Sequence, residues 1–553
     1  MAASGLAGEI GVSNRMETLG EFEDRTGRWL AGRRPPRGLV IAAIVCVLVT
    51  YLGSVTNRWL PSSEGALTLG LARSLAHGQG YAVNGEPTVT TAPVLPILLV
   101  PLEMAFGEGN YWAANLLVAL CGLAALWTLS GVLSRWTDRW TVLVVMLGTA
   151  FSYGFFVTSH RILNDMPAVL VFWLAVAAAL RGRSGSLSWT FAAGLLAVAA
   201  VSVRWSAATT LVALGAALVI DGQATILVGN RRVTGWPARI VSGGTVLLAV
   251  ALAAWAVTAV AQGRGLPAPT GITLQGSSVA RLSAGLARLP AVYGDLLINE
   301  SRAWSLGGLG LLLATIGAMR FWWSGRRMVP ALTALYVVLL AATRGQAYEM
   351  SHLAPVLPLL LLLTVDGLCW SVDLTARERQ GRPASPTGLL RAVVIFAAVV
   401  VLPNGVRVVR DTFYYMPLSY TSRYYDTVRD GRLAIWFDLG QALHAGSADR
   451  PAVADPDAIN ILHWLSGRRM VAWPSNPRQT AEDAGEMLVF FAAQPELAFA
   501  VIDRSRGTSD YVDTLVHGLV VMPGLTVVYE CHERYRNYIV LARSEAVIRQ
   551  AGR

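Results

Sequence analysis

Long apolar runs recur along this 553-residue chain and restrict its fold more than any other feature of the sequence. A helix needs about 20 predominantly apolar residues to cross a bilayer, and it must hydrogen-bond its own backbone there. Runs of about this length occupy residues 38–56, 110–133, 140–159, 166–181, 187–203, 206–222, 240–261, 304–320, 328–343, 354–371 and 388–403. We therefore predict an α-helical polytopic membrane protein with about eleven transmembrane helices.

The composition excludes several classes of function. With 54% hydrophobic and 14% charged residues, the chain has too little polar surface for a soluble globule of this size. Its basic residues are all arginines that lie between apolar runs, where they set topology, so no nucleic acid partner is expected. Without lysine, neither Schiff-base chemistry nor a Walker phosphate loop is available. The widely spaced Cys46, Cys121, Cys369 and Cys531 predict neither a disulfide framework nor a metal cluster.

Arginine placement predicts the orientation of the spans. Short cytoplasmic loops are rich in Arg and Lys, and this chain meets that rule when residues 1–37 form a cytoplasmic tail and residues 91–106 do not span. The run 91–106 is short and interrupted by prolines, so we predict a surface helix there. This arrangement places five polar residues on the outer face of the cell membrane: Glu64, Asp165, Arg204, Arg344 and His352.

The first outer loop contains a short amphipathic segment at residues 60–81. Ser63 is a plausible N-cap, Glu64 falls in the first turn, and Gly78 and Gly80 supply the stop. Leucines recur every four residues on one face, at Leu67, Leu71 and Leu75. We predict an amphipathic helix at 62–78 that lies along the membrane with this stripe in the lipid boundary.

The composition changes after residue 403. Strand-like segments alternate with helix-like segments at the polar density of a soluble domain. This alternation predicts an α/β domain at 404–553, which by parity lies outside the membrane, beyond a transmembrane domain at 38–403.

Two carboxylates stand out on the predicted outer face. Asp165 precedes Met166 and Pro167, which is an ordinary arrangement for a helix N-terminus. Glu64 also has a purely structural interpretation, as an acid that stabilises a helix N-terminus. Acidic residues at membrane level are rare and usually functional, however, so two on one face favour a functional role.

These segments resemble the GT-C superfamily of integral-membrane glycosyltransferases, in particular the branch with protein O-mannosyltransferases and the lipid A aminoarabinose transferase. The similarity lies in "EGALTLGLARSLAHGQGY", the proline-rich "APVLPILLVPLEMAFG", "NDMP", "AAVSVRWSAATTLV" and "TRGQAYEMSHLAPVLPLLL". It covers roughly residues 38–370 and extends to the C-terminal domain. The first acid of the family is usually Asp, often in an Asp-Glu pair, whereas this chain has Ser63 and Glu64. Thr90 and Thr91 replace a Glu-Lys pair of the aminoarabinose branch.

The resemblance implies transfer of a sugar, with inversion, from a polyprenyl-phosphate carrier to a lipid, glycan or protein acceptor at the outer face. It implies that Glu64 is the base for the acceptor hydroxyl and that Asp165 assists it. Four residues are candidates to bind the donor phosphate and stabilise its charge as it leaves: Arg204, Arg344, Tyr348 and His352. Anchoring in lipid headgroups is the alternative for Arg344, and an interfacial cap is the alternative for His352.

Metal dependence and the function class stay open at this point. In metal-dependent relatives the acid pair helps to hold a divalent cation such as Mg²⁺ or Mn²⁺, so Glu64 and Asp165 are also candidate metal ligands. A transporter or flippase of a lipid-linked saccharide is the rival class. It would need acids or broken helices at mid-membrane, and commonly internal repeats, whereas the acids here lie at one face.

Overall fold

The computed structural model describes most of the chain. The described residues are 35–84, 86–107, 110–221, 225–228, 231–263, 277–297, 303–345, 350–380, 393–418, 431–444, 450–456, 458–474, 481–504, 509–533 and 536–543. They divide into two compact units. The helical unit comprises the described residues within Met1–Val55, Leu116–His160 and Asn164–Phe413, and the mixed unit those within Thr56–Asn115, Arg161–Leu163 and Tyr414–Arg553.

Helices dominate the chain up to residue 418. In chain order they are α1 (Arg37–Gly53), α2 (Ser63–Ala76), α3 (Val94–Phe106), α4 (Tyr111–Leu133), α5 (Arg139–Phe151), α6 (Tyr153–Thr158), α7 (Asp165–Gly182), α8 (Leu187–Val203), α9 (Ala207–Ile220), α10 (Trp236–Gly263), α11 (Ser278–Leu297), α12 (Ala303–Trp323), α13 (Met328–Arg344), α14 (Met350–Leu353), α15 (Leu357–Gln380) and α16 (Leu402–Leu418), the last entered through a π-turn at Ala397–Val401. Each of the eleven apolar runs coincides with helix in the described residues. Five helical segments there are long and apolar enough to cross a membrane, and several others are shorter apolar helices.

Two parts of the helical unit differ from the sequence prediction. The run 140–159 is not one helix, because Ser152 adopts an extended conformation between α5 and α6 and its hydroxyl donates to the Thr149 carbonyl. The segment 262–303, which lies between two of the apolar runs, contains α11. Tyr293 and Leu296 on α11 are completely buried against the bundle. Helix α11 is only moderately hydrophobic, because one of its faces carries polar residues. Its hydrophobicity therefore did not predict that it packs in the bundle.

Two glycines allow α12 and α15 to cross at backbone contact. A Cβ on Gly317 would collide with the carbonyl of Leu363, and a Cβ on Gly367 would collide with the carbonyl of Leu313. Small residues at such crossings let helix backbones approach closely, which is how helices in membranes gain dispersion energy. The pair therefore fixes the separation of two central helices.

We expect Gly367→Val to destabilise the protein strongly. The added side chain must push the two helices apart, and overpacking of this kind typically costs about 1–3 kcal/mol or more. The measurement is the thermal unfolding midpoint of the detergent-purified protein. Gly308→Val on α12 is the matched control, because nothing lies within 4 Å of a Cβ at that position. Equal midpoints for the two variants would contradict this interpretation of the crossing.

The mixed unit contains the segment between α1 and α4 together with the C-terminal residues. Its remaining helices are α17 (Gly431–His444), α18 (Ile459–Ser466), α19 (Ala481–Ala493) and α20 (Ser509–Val521). The strands of the chain are β1 (Ala82–Val83), β2 (Glu86–Pro87), β3 (Ser184–Gly185), β4 (Thr225–Val228), β5 (Arg231–Thr234), β6 (Ala452–Ala454), β7 (Met470–Ala472), β8 (Phe499–Asp503), β9 (Leu525–Glu533) and β10 (Arg536–Arg543). Strands β3, β4 and β5 form a small sheet in the helical unit.

A five-stranded sheet of order β7-β6-β8-β10-β9 forms the centre of the mixed unit. Strand β6 pairs in parallel with β7 and β8, whereas β10 pairs antiparallel with β8 and β9. Every residue of β6 and β8 is buried, as expected for central strands covered on both faces. Short hydrophobic strands that alternate with helices thus build a mixed sheet from the C-terminal residues.

The prediction that the leucine stripe of α2 lies in the lipid boundary is wrong. Leu71 is completely buried, and Leu67 and Leu75 are half-buried, because α2 packs against α3 and α18. The exposed apolar surface belongs instead to α3, where it comprises Ile97, Leu98, Met104 and Phe106. Amphipathic periodicity identified the helix, but it does not distinguish a lipid partner from a protein partner.

Candidate active site

A polar cleft in the helical unit lies where several helices begin or end. Asp165 is the first residue of α7, Arg204 follows the end of α8, and Arg344 is the last residue of α13. The cleft is open to solvent at its mouth, and its empty space including that mouth amounts to about 470 Å³. Its lining comprises Asp165, Ala168, Val169, Phe172, Arg204, Ser206, Ala207, Thr209, Thr210, Tyr336, Leu340, Thr343, Arg344, Ser351, His352 and Pro355. The sequence-predicted residues Asp165, Arg204, Arg344 and His352 are therefore brought together.

Asp165 and Arg204 form a buried ion pair at the bottom of the cleft. The Asp165 side chain is 2% exposed and that of Arg204 is 15% exposed. The pair forms because the chain becomes extended at Arg204, between α8 and α9, and directs this residue toward the start of α7. A carboxylate so buried needs a cation, since removing one partner of a buried pair typically costs about 3–5 kcal/mol. Asp165 thus holds the Arg204 guanidinium in place.

A second positive charge reaches the cleft from α13. Arg204 and Arg344 both lie close enough to Tyr336 to act on its hydroxyl electrostatically. That hydroxyl donates to the main-chain carbonyl of His352 and is hydrogen-bonded to Thr210. Tyr336 therefore ties α13 to α14 and α9. Among the described residues that line the cleft there are two guanidinium groups and one carboxylate, so the charge of this lining favours an anion.

Sequence reasoning missed the hydroxyl groups of the cleft. Ser206, Thr209 and Thr210 follow Arg204 in the chain, and Thr209 and Thr210 lie three and four residues after Ser206, which places the three hydroxyls on one face at the start of α9. The sequence "RWSAATT" holds this pattern, and the spacing could have identified it. Tyr348, a predicted phosphate ligand, lies outside the described residues. The hydroxyls add donors that can bind phosphate or sugar oxygens.

Glu64 belongs to the mixed unit and is half-buried in the first turn of α2. The N-cap is Ser62, not the predicted Ser63, and its Oγ accepts from the Gly65 amide at 3.1 Å. Gly65 has no room for a side chain, because a Cβ there would lie 2.7 Å from Ser62 Oγ and 3.0 Å from Trp59 Nε1. This packing fixes the first turn of α2, and the Glu64 carboxylate projects from it.

The cleft itself does not fit a divalent cation. Such ions prefer several carboxylate or carbonyl oxygens, and two guanidinium groups in the cleft oppose a cation electrostatically. Its one carboxylate is already paired with Arg204. Within the described residues, no three His, Cys, Asp or Glu side chains come together as metal ligands would. The described lining of the cleft therefore favours an anion over a cation.

Comparison with known proteins shows which solved structures share the fold of this chain. No family model and no curated protein matches the chain. The structure of ArnT from Cupriavidus metallidurans bound to undecaprenyl phosphate matches with a TM-score of 0.55 and 16% identity, over 92% of this chain and 98% of that one. Archaeal oligosaccharyltransferase AglB from Archaeoglobus fulgidus, in complex with an inhibitory peptide and a dolichol-phosphate, matches with a TM-score of 0.54 and 13% identity. That match covers 87% of this chain and 72% of AglB.

Likeness at such low identity concerns the fold. It extends over nearly all of this chain and ArnT, so it includes both the helical unit and the mixed unit. Membrane-spanning glycosyltransferases are the common feature of these matches. The resemblance recognised in the sequence is thus confirmed at the level of the fold, since this chain shares the fold of ArnT and AglB, which are GT-C glycosyltransferases.

Proposed function

We propose that the protein transfers a sugar from a polyprenyl-phosphate-linked donor to an acceptor at the outer face of the cell membrane. The cleft that holds Asp165, Arg204 and Arg344 in a GT-C fold carries this proposal. A phosphate is the anion that such a cleft accommodates best, since guanidinium groups bind two phosphate oxygens at once. The solved structures of ArnT and AglB with undecaprenyl phosphate and dolichol-phosphate support the same class of donor.

The chain's own residues supply the chemistry in one displacement. The acceptor oxygen attacks the anomeric carbon, the bond from that carbon to the phosphate oxygen breaks, and polyprenyl phosphate leaves with the electron pair. Glu64 takes the acceptor proton, while Arg204 and Arg344 stabilise the charge that develops on the leaving phosphate. Asp165 acts through Arg204 by holding its guanidinium in place. Attack opposite the leaving group inverts the anomeric centre.

A transfer assay with labelled donors tests the proposal. Protein in lipid nanodiscs is incubated with radiolabelled undecaprenyl-phosphate or decaprenyl-phosphate sugars, both hexoses and pentoses, and with a delipidated cell-envelope fraction as acceptor. We expect label in the acceptor together with release of polyprenyl phosphate. Donor that stays intact in nanodiscs but crosses the bilayer of proteoliposomes would instead show a transporter.

We expect Arg344→Ala to weaken donor binding by about 10- to 150-fold. The loss of one charge-assisted hydrogen bond is worth about 1.5–3 kcal/mol, and each 1.4 kcal/mol is tenfold. Binding of undecaprenyl phosphate to detergent-purified protein gives the measurement. Arg410→Ala is the matched control, since that side chain is 70% exposed and does not line the cleft. Unchanged affinity in Arg344→Ala would assign Arg344 to headgroup anchoring.

Orientation can be measured by labelling single cysteines in intact cells. In a background without the four native cysteines, we expect Gln79→Cys, just after α2, to react with an impermeant maleimide. Ser385→Cys, in the predicted cytoplasmic loop, should react only after the cells are permeabilised. The reason is the arginine asymmetry, which places that loop inside. Reaction of residue 385 in sealed cells would reverse the proposed topology.

A further inference from the structure

Helix α18, which belongs to the C-terminal residues, contacts α2, the helix that carries Glu64. The Asn460 amide donates to Ser63 Oγ at 3.1 Å, and Ser63 immediately precedes Glu64. Three turns further along α2, the Arg73 guanidinium lies 4.0 Å from the centroid of the Trp464 ring, within cation–π range. Arg73 also lies 3.9 Å from the Glu103 carboxylate of α3. Thus α18 contacts α2 at both of its ends.

An aromatic cluster adds a second route from α18 to the first turn of α2. The Trp464 ring packs edge-on against Trp59, with centroids 6.4 Å apart, and its Nε1 donates to the Tyr111 hydroxyl at 3.0 Å. Trp59 stacks on Tyr111 and is 1% exposed. Because Trp59 Nε1 lies against Gly65, the cluster also supports the first turn of α2.

A further contact joins the segment after α2 to β7, at the edge of the five-stranded sheet. The side-chain amide of Asn84, which follows β1, accepts from the Met470 amide at 2.8 Å and donates to the Met470 carbonyl. It therefore pairs with β7 as a neighbouring strand would. Asn84 adopts a positive φ of 59°, a conformation that asparagine tolerates and that this pairing holds in place. The C-terminal residues thus hold the loop before and after α2.

We propose that Asn460 is a positioning residue for Glu64, and that a main role of α18 is to fix the direction of that carboxylate. The inference rests on the proposed function of Glu64 as the base. A base must lie within hydrogen-bond reach of the proton that it removes, and misplacement by about 1 Å can cost a hundredfold in rate. Ser63 lies at the first helical position, next to the Ser62 cap that already holds the Gly65 amide. The hydrogen bond from Asn460 adds a contact with α18, which fixes this turn relative to the C-terminal residues.

Hydrogen exchange tests the positioning independently of activity. In full-length protein in nanodiscs, we expect Asn460→Ala to increase deuterium uptake of peptides that cover the first turn of α2. Uptake elsewhere in the mixed unit and the thermal midpoint should stay unchanged. Glu486→Ala, at an exposed position of α19, is the control. Unaltered uptake at α2 in Asn460→Ala would overturn the proposal.

Kinetics then separate positioning from a merely structural role. We expect Asn460→Ala to lower kcat at least tenfold while the affinity for undecaprenyl phosphate stays within twofold of the wild-type value. Ser63→Ala should give the same loss, and the double variant no more than either single one, because both remove one hydrogen bond. Additive losses, or greater uptake at α2 with normal kcat, would refute the inference. If the wild-type protein transfers no sugar at all, the proposed function fails while hydrogen exchange still reports on α18.

Discussion

Glu64→Gln should abolish sugar transfer while the protein folds and binds its donor normally. Glutamine keeps the size of the side chain and most of its hydrogen bonds, but it cannot accept the acceptor proton. General-base catalysis contributes about 10²- to 10⁴-fold, so we expect a fall in kcat of that order. Transfer of label from the polyprenyl-phosphate sugar measures it, with undecaprenyl phosphate affinity as the test of intact binding.

The structural interpretation of Glu64 makes a different prediction. If the acid only stabilises the start of α2, its loss costs about 0.3–1 kcal/mol of helix stability and leaves turnover near normal. Glu64→Asp distinguishes the two cases further. It keeps a carboxylate, and the acid most common in the family, so measurable activity should remain. A Glu64→Gln protein with wild-type turnover would remove Glu64 from the mechanism.

Arg204→Ala should damage the protein in two ways at once. It leaves the Asp165 carboxylate, which is 2% exposed, without its cation. Breaking a buried pair in this way typically costs about 3–5 kcal/mol of stability. It also removes a phosphate contact worth about 1.5–3 kcal/mol. We therefore expect a large fall in the thermal midpoint together with at least tenfold weaker binding of undecaprenyl phosphate.

A double variant separates these two effects. Asp165→Asn combined with Arg204→Gln removes both charges and keeps polar groups that can hydrogen-bond each other. We expect it to recover most of the stability and none of the donor affinity. Recovery of both would show that Arg204 only neutralises Asp165 and makes no contact with the phosphate. Arg344→Ala provides the comparison for a cleft arginine that lies at a helix end.

The sequence predicted individual helices better than it predicted their partners. All eleven apolar runs coincide with helix, because composition and length report directly on the environment that a helix requires. Asp165, Arg204, Arg344 and His352 come from separate parts of the chain and line one cleft. From the sequence, the positions of the loops predicted only that these residues lie on one face of the membrane. Their chemical roles stay predictions.

Contacts between distant segments were beyond sequence reasoning. Leu71 is buried on a helix that packs against both α3 and α18, and no local pattern announces that one of these partners comes from the C-terminal residues. The cap at Ser62 instead of Ser63 was ambiguous for another reason, since two adjacent serines have equal capping propensity. Helix α11 was missed because polar residues and Pro290 resemble those of a loop.

The bond between Ser63 and Asn460 has a consequence for how the protein is made. The two residues are separated by 397 positions in the sequence. At about 5–20 residues per second, a ribosome needs about 20–80 s to synthesise that interval. Until α18 is synthesised, Ser63 lacks the hydrogen-bond partner that holds it in the mixed unit. The position proposed for Glu64 is therefore fixed late in synthesis, and a chain released before α18 would contain α2 without its contacts to Asn460 and Trp464.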